Sequence, residues 1–178
     1  MFIIQMTGLS GAGKSTLANA VQHMLKEHGK QIMVVDGDVY RKTTSKDLGF
    51  SIADRKENMR RLAVIADQHC NNDIPVIIAA INPFNDIRNE LKIRYHAKIV
   101  WIKCDLEILV KRDTKNLYKK ALLPDDDPEK IRDLTGVNHP FEIPDNPDLI
   151  IDTSLSSIES CTEGFMKYVL KLFSSKAV

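Results

Sequence analysis

The stretch Gly8-Leu9-Ser10-Gly11-Ala12-Gly13-Lys14-Ser15 constrains this chain more than any other. It fits G-x-x-x-x-G-K-[ST], the P-loop pattern. Its flanks agree. Phe2-Ile3-Ile4-Gln5-Met6 predicts a short buried strand before it, and Leu17, Ala18, Val21, Met24, Leu25 and His28 recur behind it at helical spacing. The loop therefore joins a strand to a helix N-terminus. Glycines let backbone N–H groups curve around phosphate oxygens where a Cβ would obstruct the turn, and the helix dipole adds partial positive charge there. Lys14 supplies a cation for the β- and γ-phosphates of a nucleotide, and Ser15 a hydroxyl ligand for Mg²⁺.

The rest of the chain alternates strand and helix. Gly29 marks a helix stop. Ile32-Met33-Val34-Val35 predicts a second buried strand, ending at Asp36-Gly37-Asp38. Asp54 and Glu57 are spaced as a capping box, and the helix behind them carries Met59, Leu62, Ala63, Ala66, His69 and Cys70 on one face. His69 there reads as a packed or half-buried side chain, not a ligand. The apolar run Pro75 to Ile81 predicts a strand covered on both faces, as in a parallel sheet, and Pro83 is placed to open the next helix. Ala97 to Cys104 predicts a fourth strand, with Asp105 capping a helix through Leu106, Leu109 and Val110. Leu149-Ile150-Ile151-Asp152 predicts a fifth. Ser156 and Glu159 are spaced as a second capping box, and Ile158, Cys161, Phe165, Tyr168 and Leu172 line the last helix. The tail from Ser174 to Val178 is expected to fray.

This order predicts an α/β fold of three layers, a five-stranded parallel sheet with helices on both faces and ligands at the strand carboxyl ends. Two segments stand apart from it. Val39 to Ala53 has no clean period, and its position after the second strand predicts a functional loop. Arg112 to Pro147 holds five of the seven prolines and dense charge, and reads as a lid over the site. Residues 1–178 are expected to form one domain.

Composition narrows the partners. Net charge is +1, so nucleic acid is not a favoured partner. No apolar run approaches bilayer length, and none near the start resembles a signal peptide. The three cysteines, Cys70, Cys104 and Cys161, are widely spaced in apolar segments, with no C-x-x-C. A cytoplasmic protein is expected.

Among P-loop proteins, a GTPase would carry N-K-x-D after a late strand, and none is present; Asp133-x-x-Gly136 lies in the lid instead. A motor or transporter ATPase would be larger. Small size, a lid and acids after the second strand favour a small-molecule phosphotransferase, which needs Mg²⁺, an acceptor hydroxyl held in line, and water excluded. Of Asp36 and Asp38, one can order Mg²⁺-bound water and the other accept the hydroxyl proton.

In that frame the chain resembles the adenylylsulfate (APS) kinases from about Phe2 to Thr153. The matching stretches are Gly8 to Thr16, Asp36-Gly37-Asp38, Asp47-Leu48-Gly49-Phe50-Ser51, Asp54-Arg55-x-Glu57-Asn58-x-Arg60-Arg61, Arg112-Asp113, Leu117-Tyr118-Lys119-Lys120-Ala121, and Thr135-Gly136 followed by Pro140-Phe141-Glu142. The resemblance implies transfer of the γ-phosphate of ATP to the 3′-hydroxyl of adenylylsulfate, with ATP as donor, Mg²⁺ as cofactor and a homodimer as the common assembly. It implies that Gly8 to Thr16 bind ATP and that Arg112 covers its base. Asp36 and Ser15 would serve the metal. Asp38 would be the base at the 3′-hydroxyl, with Arg41, Arg55 and Asn58 on the phosphosulfate and ribose and Phe50 stacked on the adenine. Lys119 and Lys120 would reach the phosphates from the lid.

The chain departs from that family in places. Val39 follows Asp-Gly-Asp where Asn is usual. Ile81-Asn82-Pro83-Phe84-Asn85 replaces I-S-P-Y-R, so Ile81 and Asn82 line the acceptor pocket in an altered form. The lid is longer and more acidic, with Leu134 in place of a second aromatic. Every departure falls on the acceptor side. They make a kinase acting on another nucleotide acceptor, such as cytidine diphosphoramidate, the alternative to an adenylylsulfate kinase.

Overall fold

The computed structural model describes residues 1–175. Its elements are β1 (Ile3–Thr7), α1 (Lys14–Glu27), β2 (Met33–Asp36), α2 (Gly37–Arg41), α3 (Ile52–Asn71), β3 (Val76–Ala79), α4 (Asn85–Tyr95), β4 (Lys98–Lys103), α5 (Leu106–Arg112), α6 (Leu117–Ala121), β5 (Leu149–Asp152) and α7 (Ile158–Ser174). The strands form one parallel sheet in the order β2-β3-β1-β4-β5. The five expected strands are present within a residue or two of their predicted ends.

Alternation along each strand builds two cores. Ile4, Met6 and Ile77 face the layer of α1 and α7, where Leu17, Val21, Phe165 and Val169 are buried. Ile3, Val35 and Ile78 face the layer of α3 and α4, among Met59, Leu62, Ile87 and Leu91. Each buried aliphatic side chain contributes about 1.5–3 kcal/mol, so both faces of the sheet must be covered.

Helix ends explain several shifts from expectation. α1 stops in a Schellman turn: Lys30 N–H donates to the Leu25 carbonyl at 2.9 Å and Gly29 N–H to that of Lys26 at 3.0 Å. The N-cap of α3 is Ser51, not Asp54. Its hydroxyl accepts from Asp54 N–H at 3.1 Å and donates to the Asp54 carboxylate at 2.7 Å, so Asp54 takes the place, three residues past the cap, that was expected of Glu57. Glu57 instead meets Arg61 one turn on. The cap of α7 is Ser157, accepting from Ser160 N–H at 3.2 Å, not Ser156 with Glu159. Asp105 stands at the N-cap of α5 without a side-chain cap bond. Pro83 does not open α4, which starts at Asn85 behind Phe84, because the Pro83 carbonyl is taken by Glu142 N–H at 2.9 Å. Part of the irregular stretch after β2 is the short helix α2, with Arg41 donating to the Leu48 and Gly49 carbonyls. His69 is half-buried, as expected. Of the tail, Ser174 ends α7 and residues 176–178 lie outside the described residues.

The segment 112–147 is more firmly docked than a free lid. Tyr118 and Ala121 are buried in the core, and the Tyr118 hydroxyl donates to the Ser10 carbonyl at 2.8 Å. Farther along, the Asp133 carbonyl accepts from Arg55 at 2.6 Å and the Glu142 carbonyl from Arg88 at 2.6 Å. Between these anchors, Leu122, Asp125 and Glu129 stay exposed.

Candidate active site

All carboxyl ends of the strands open on one edge, and the site is built there. β1 delivers the chain at Gly8, whose own Cβ would lie 2.3 Å from the Ile102 carbonyl oxygen of β4. Only glycine allows the loop to pass so close to the neighbouring strand. The loop then curls through Gly11 and Gly13 into the N-terminus of α1. Its Lys14 ammonium donates to the carbonyls of Gly8 at 2.8 Å and Leu9 at 2.7 Å, folded back across the loop it serves. Burial lowers its pKa to about 8, against the opposing pull of Asp38.

β2 delivers Asp36 beside that loop. One carboxylate oxygen bonds the Ser15 hydroxyl, and the other accepts from Asp38 N–H at 2.8 Å, capping α2. Asp38 is thereby turned outward. Its carboxylate pairs with Lys115. Burial pulls its pKa up, but Lys115, Lys14 and Arg41 outweigh that and hold it below the usual carboxylate value.

Two cavities meet at this point. One, of about 230 Å³, runs along the P-loop past Lys14, Ser15, Thr16 and Asp36. The other, of about 700 Å³, is walled by Arg41, Phe50, Arg55 and Leu134. Ser10, Asp38, Ile81 and Lys115 line both. Arg41 and Arg55 lie over the Phe50 ring, 4.6 and 5.4 Å from its centroid. α3 carries Arg55, which walls this cavity, and three residues on Asn58, which lines the adjoining crevice, both buried. An open anion-binding cradle thus adjoins a cationic, partly aromatic pocket, with a carboxylate at the junction.

The sequence-derived residues do not all gather here. Gly11, Gly13 to Thr16, Asp36, Asp38, Arg41, Phe50, Arg55, Ile81 and Leu134 line the two cavities, while Asn58 and Asn82 line an adjoining crevice. Arg112 lies at the edge, donating to the Thr153 carbonyl at 2.8 Å. Lys119 and Lys120 line neither cavity: Lys120 pairs with Glu129, and Lys119 is exposed. The lysine that the lid does bring to the junction is Lys115, which sequence reasoning passed over. Its signal was position: Asp113 accepts from the N–H groups of Leu117, Tyr118 and Lys119, folding a tight turn whose outer residues Thr114 and Lys115 line the P-loop cavity.

Fold and site together define a P-loop phosphotransferase with a nucleotide-sized acceptor pocket. The family model described as adenylylsulphate kinase matches residues 1–152. An adenylyl-sulfate kinase of Bacillus velezensis is 42% identical over 170 residues, covering 94% of this chain and 84% of its own. That of Prochlorococcus marinus is 41% identical over 173 residues, covering 96% and 84%. Among solved structures, the Mycobacterium tuberculosis APS kinase CysC in complex with AMPPNP and APS superposes with a TM-score of 0.86 at 33% identity, covering 94% of this chain and 96% of its own. The chain belongs to the adenylylsulfate kinase family.

Proposed function

We propose that this protein is an adenylylsulfate kinase, transferring the γ-phosphate of ATP to the 3′-hydroxyl of adenylylsulfate to give 3′-phosphoadenylylsulfate and ADP. The observation that carries this reading is the junction: Asp38 and Lys115 stand where the P-loop cavity opens into the pocket of Arg41, Phe50 and Arg55. A relative of the same fold, solved in complex with AMPPNP and APS, supports it.

In this mechanism Lys14 leaves the Gly8 and Leu9 carbonyls for the β- and γ-phosphates, which offer its charge a better partner than two neutral oxygens. Lys115 leaves Asp38 for the transferring phosphoryl group. Asp38, released, accepts the proton of the 3′-hydroxyl as that oxygen attacks in line. Arg41 and Arg55 hold the phosphosulfate, and Phe50 offers a face to the base.

Among the described residues no three His, Cys, Asp or Glu side chains gather into a metal cage. The Ser15 hydroxyl and the Asp36 carboxylate, bonded to each other beside the P-loop, suit Mg²⁺, which binds through few protein oxygens, water and substrate phosphates. When bound, it neutralises charge on the β- and γ-phosphates. The reading includes cytoplasmic location and a homodimer, the latter tested by light scattering for twice the chain mass.

A second reading, another nucleotide acceptor such as cytidine diphosphoramidate, is favoured by one observation: beside Phe50 the cavity is lined by Leu134 and not by a second ring. A coupled ADP-release assay with adenylylsulfate beside cytidine diphosphate derivatives decides. Turnover on adenylylsulfate is expected, and turnover only on a pyrimidine nucleotide would replace the first reading with the second.

A further inference from the structure

Residues 42–50, between α2 and α3, bring Lys42, Leu48 and Phe50 to the wall of the larger cavity and none to the P-loop cavity. Local bonds shape this loop: Ser45 N–H donates to the Tyr40 carbonyl at 3.0 Å, and Leu48 N–H to that of Ser45 at 3.1 Å. Three arginines tie it to the helices on either side. Arg41 of α2 donates to the Gly49 carbonyl at 2.7 Å, and Arg55 of α3 to that of Phe50 at 2.8 Å. Arg61, further along α3, takes the middle of the loop. Its two terminal nitrogens donate to the two carboxylate oxygens of Asp47 at 2.7 and 2.9 Å, and one of them also to the Thr44 carbonyl at 3.1 Å.

These ties differ in kind. Arg41 and Arg55 hold neutral carbonyls with guanidinium groups that also wall the larger cavity. An anionic acceptor offers them a better partner, so their hold on the loop weakens as it binds. Arg61 lines neither cavity, and it grips a carboxylate through a fork that matches it. Its side chain is steadied in turn. Nε donates to Glu57 Oε1 at 3.2 Å, Arg60 stands 3.9 Å from the other Glu57 oxygen, and Arg60 is itself forked onto Glu90 of α4 at 2.8 Å. The Arg61 and Asp47 side chains are 31% and 56% exposed, so their pair adds little to stability. What it fixes is where the loop sits.

Resting on the adenylylsulfate kinase reading above, we infer that Arg61 is a positioning residue for the acceptor. Through Asp47 and Thr44 it keeps residues 42–50 in place while Arg41 and Arg55 turn to the acceptor's anionic group, so the Phe50 ring stays where the base meets it. Arg61 acts through the loop and touches neither substrate.

The test sets steady-state kinetics with ATP and adenylylsulfate beside digestion of the free protein by a lysine-specific protease. Arg61→Gln removes the fork. It is expected to raise KM for adenylylsulfate about tenfold, with kcat and KM for ATP within about twofold and the melting temperature within a few degrees. Arg61→Lys, which keeps the charge and not the fork, recovers part of that loss. Asp47→Asn raises the same KM and serves should the Arg61 variants fold poorly. The double variant Asp47→Asn/Arg61→Gln is about as impaired as Arg61→Gln alone, because both changes sever one contact. Cleavage after the exposed Lys46 quickens several-fold in Arg61→Gln. An unchanged KM for adenylylsulfate, a matching rise in KM for ATP, or an unchanged cleavage rate overturns the inference. Should the wild type use a pyrimidine nucleotide instead, the same KM split is read with that acceptor. Wild-type protein that turns over no nucleotide acceptor overturns the kinase reading, and cleavage after Lys46 then still decides whether Arg61 holds the loop.

Discussion

Asp38 and Lys115 form the contact on which the proposed mechanism turns. Both are exposed, their side chains 68% and 53% accessible, so their ion pair adds at most about 1 kcal/mol to stability. Their value lies in what each meets when substrates arrive. Asp38→Asn keeps the shape and loses the base. It is expected to lower kcat by about 10²–10⁴-fold while ATP affinity, measured by calorimetry, stays within about twofold. Normal turnover in that variant would remove Asp38 from the mechanism. Lys115→Met is expected to leave the melting temperature within a few degrees yet lower kcat about 10²-fold or more, since a positioned cation at the transferring phosphate is lost. Unchanged kcat would reduce Lys115 to a surface partner of Asp38.

At the scale of elements, α3 is the arm that aims the acceptor side. Its cap, Ser51, sets the first turn, and from that turn Arg55 reaches the Phe50 carbonyl at 2.8 Å and the Asp133 carbonyl of the lid segment. Ser51→Ala removes the cap and is expected to cost about 1 kcal/mol, or about 2–4 °C in melting temperature for a domain of this size. Because Arg55 and Asn58 ride on that turn, KM for the acceptor should rise while KM for ATP holds; equal rises in both would separate the cap from the acceptor pocket. Both Ser51-x-x-Asp54 and Asp54-x-x-Glu57 satisfy the capping pattern, and the choice was made by the extended backbone at Ser51, where the chain leaves the Gly49 turn.

On the scale of the molecule, one buried side chain ties β1, β3, α4 and the lid segment together. Arg88 is fully buried, with guanidinium bonds to Thr7 Oγ1, the Asn82 carbonyl, Asn85 Oδ1 and the Glu142 carbonyl. Burial lowers its pKa to about 10, yet those acceptors hold it as the charged form at neutral pH. Arg88→Gln strands several of those acceptors and is expected to cost about 3–5 kcal/mol, read from denaturant midpoints. A loss below about 1 kcal/mol would show that the segment docks without it.

The linear order of residues was enough for the strands, the parallel sheet, the P-loop and the carboxylates after β2, because each is written in a local pattern: apolar runs, a fixed glycine spacing, a strand ending in acids. The proposed acceptor residues Arg41, Phe50, Arg55 and Asn58 were legible only through a family resemblance, since no periodicity marks them. Folding decided what lies opposite what. Lys115 meets Asp38 across 77 residues, and Arg55 meets Asp133 across 78, because the sheet order β2-β3-β1-β4-β5 brings distant strand ends to one edge. The orientation of Asn82 is likewise a product of three dimensions: the hydrogen-bonded run from the Arg88 carbonyl through Gln5 holds its amide, and no run of neighbouring residues encodes it.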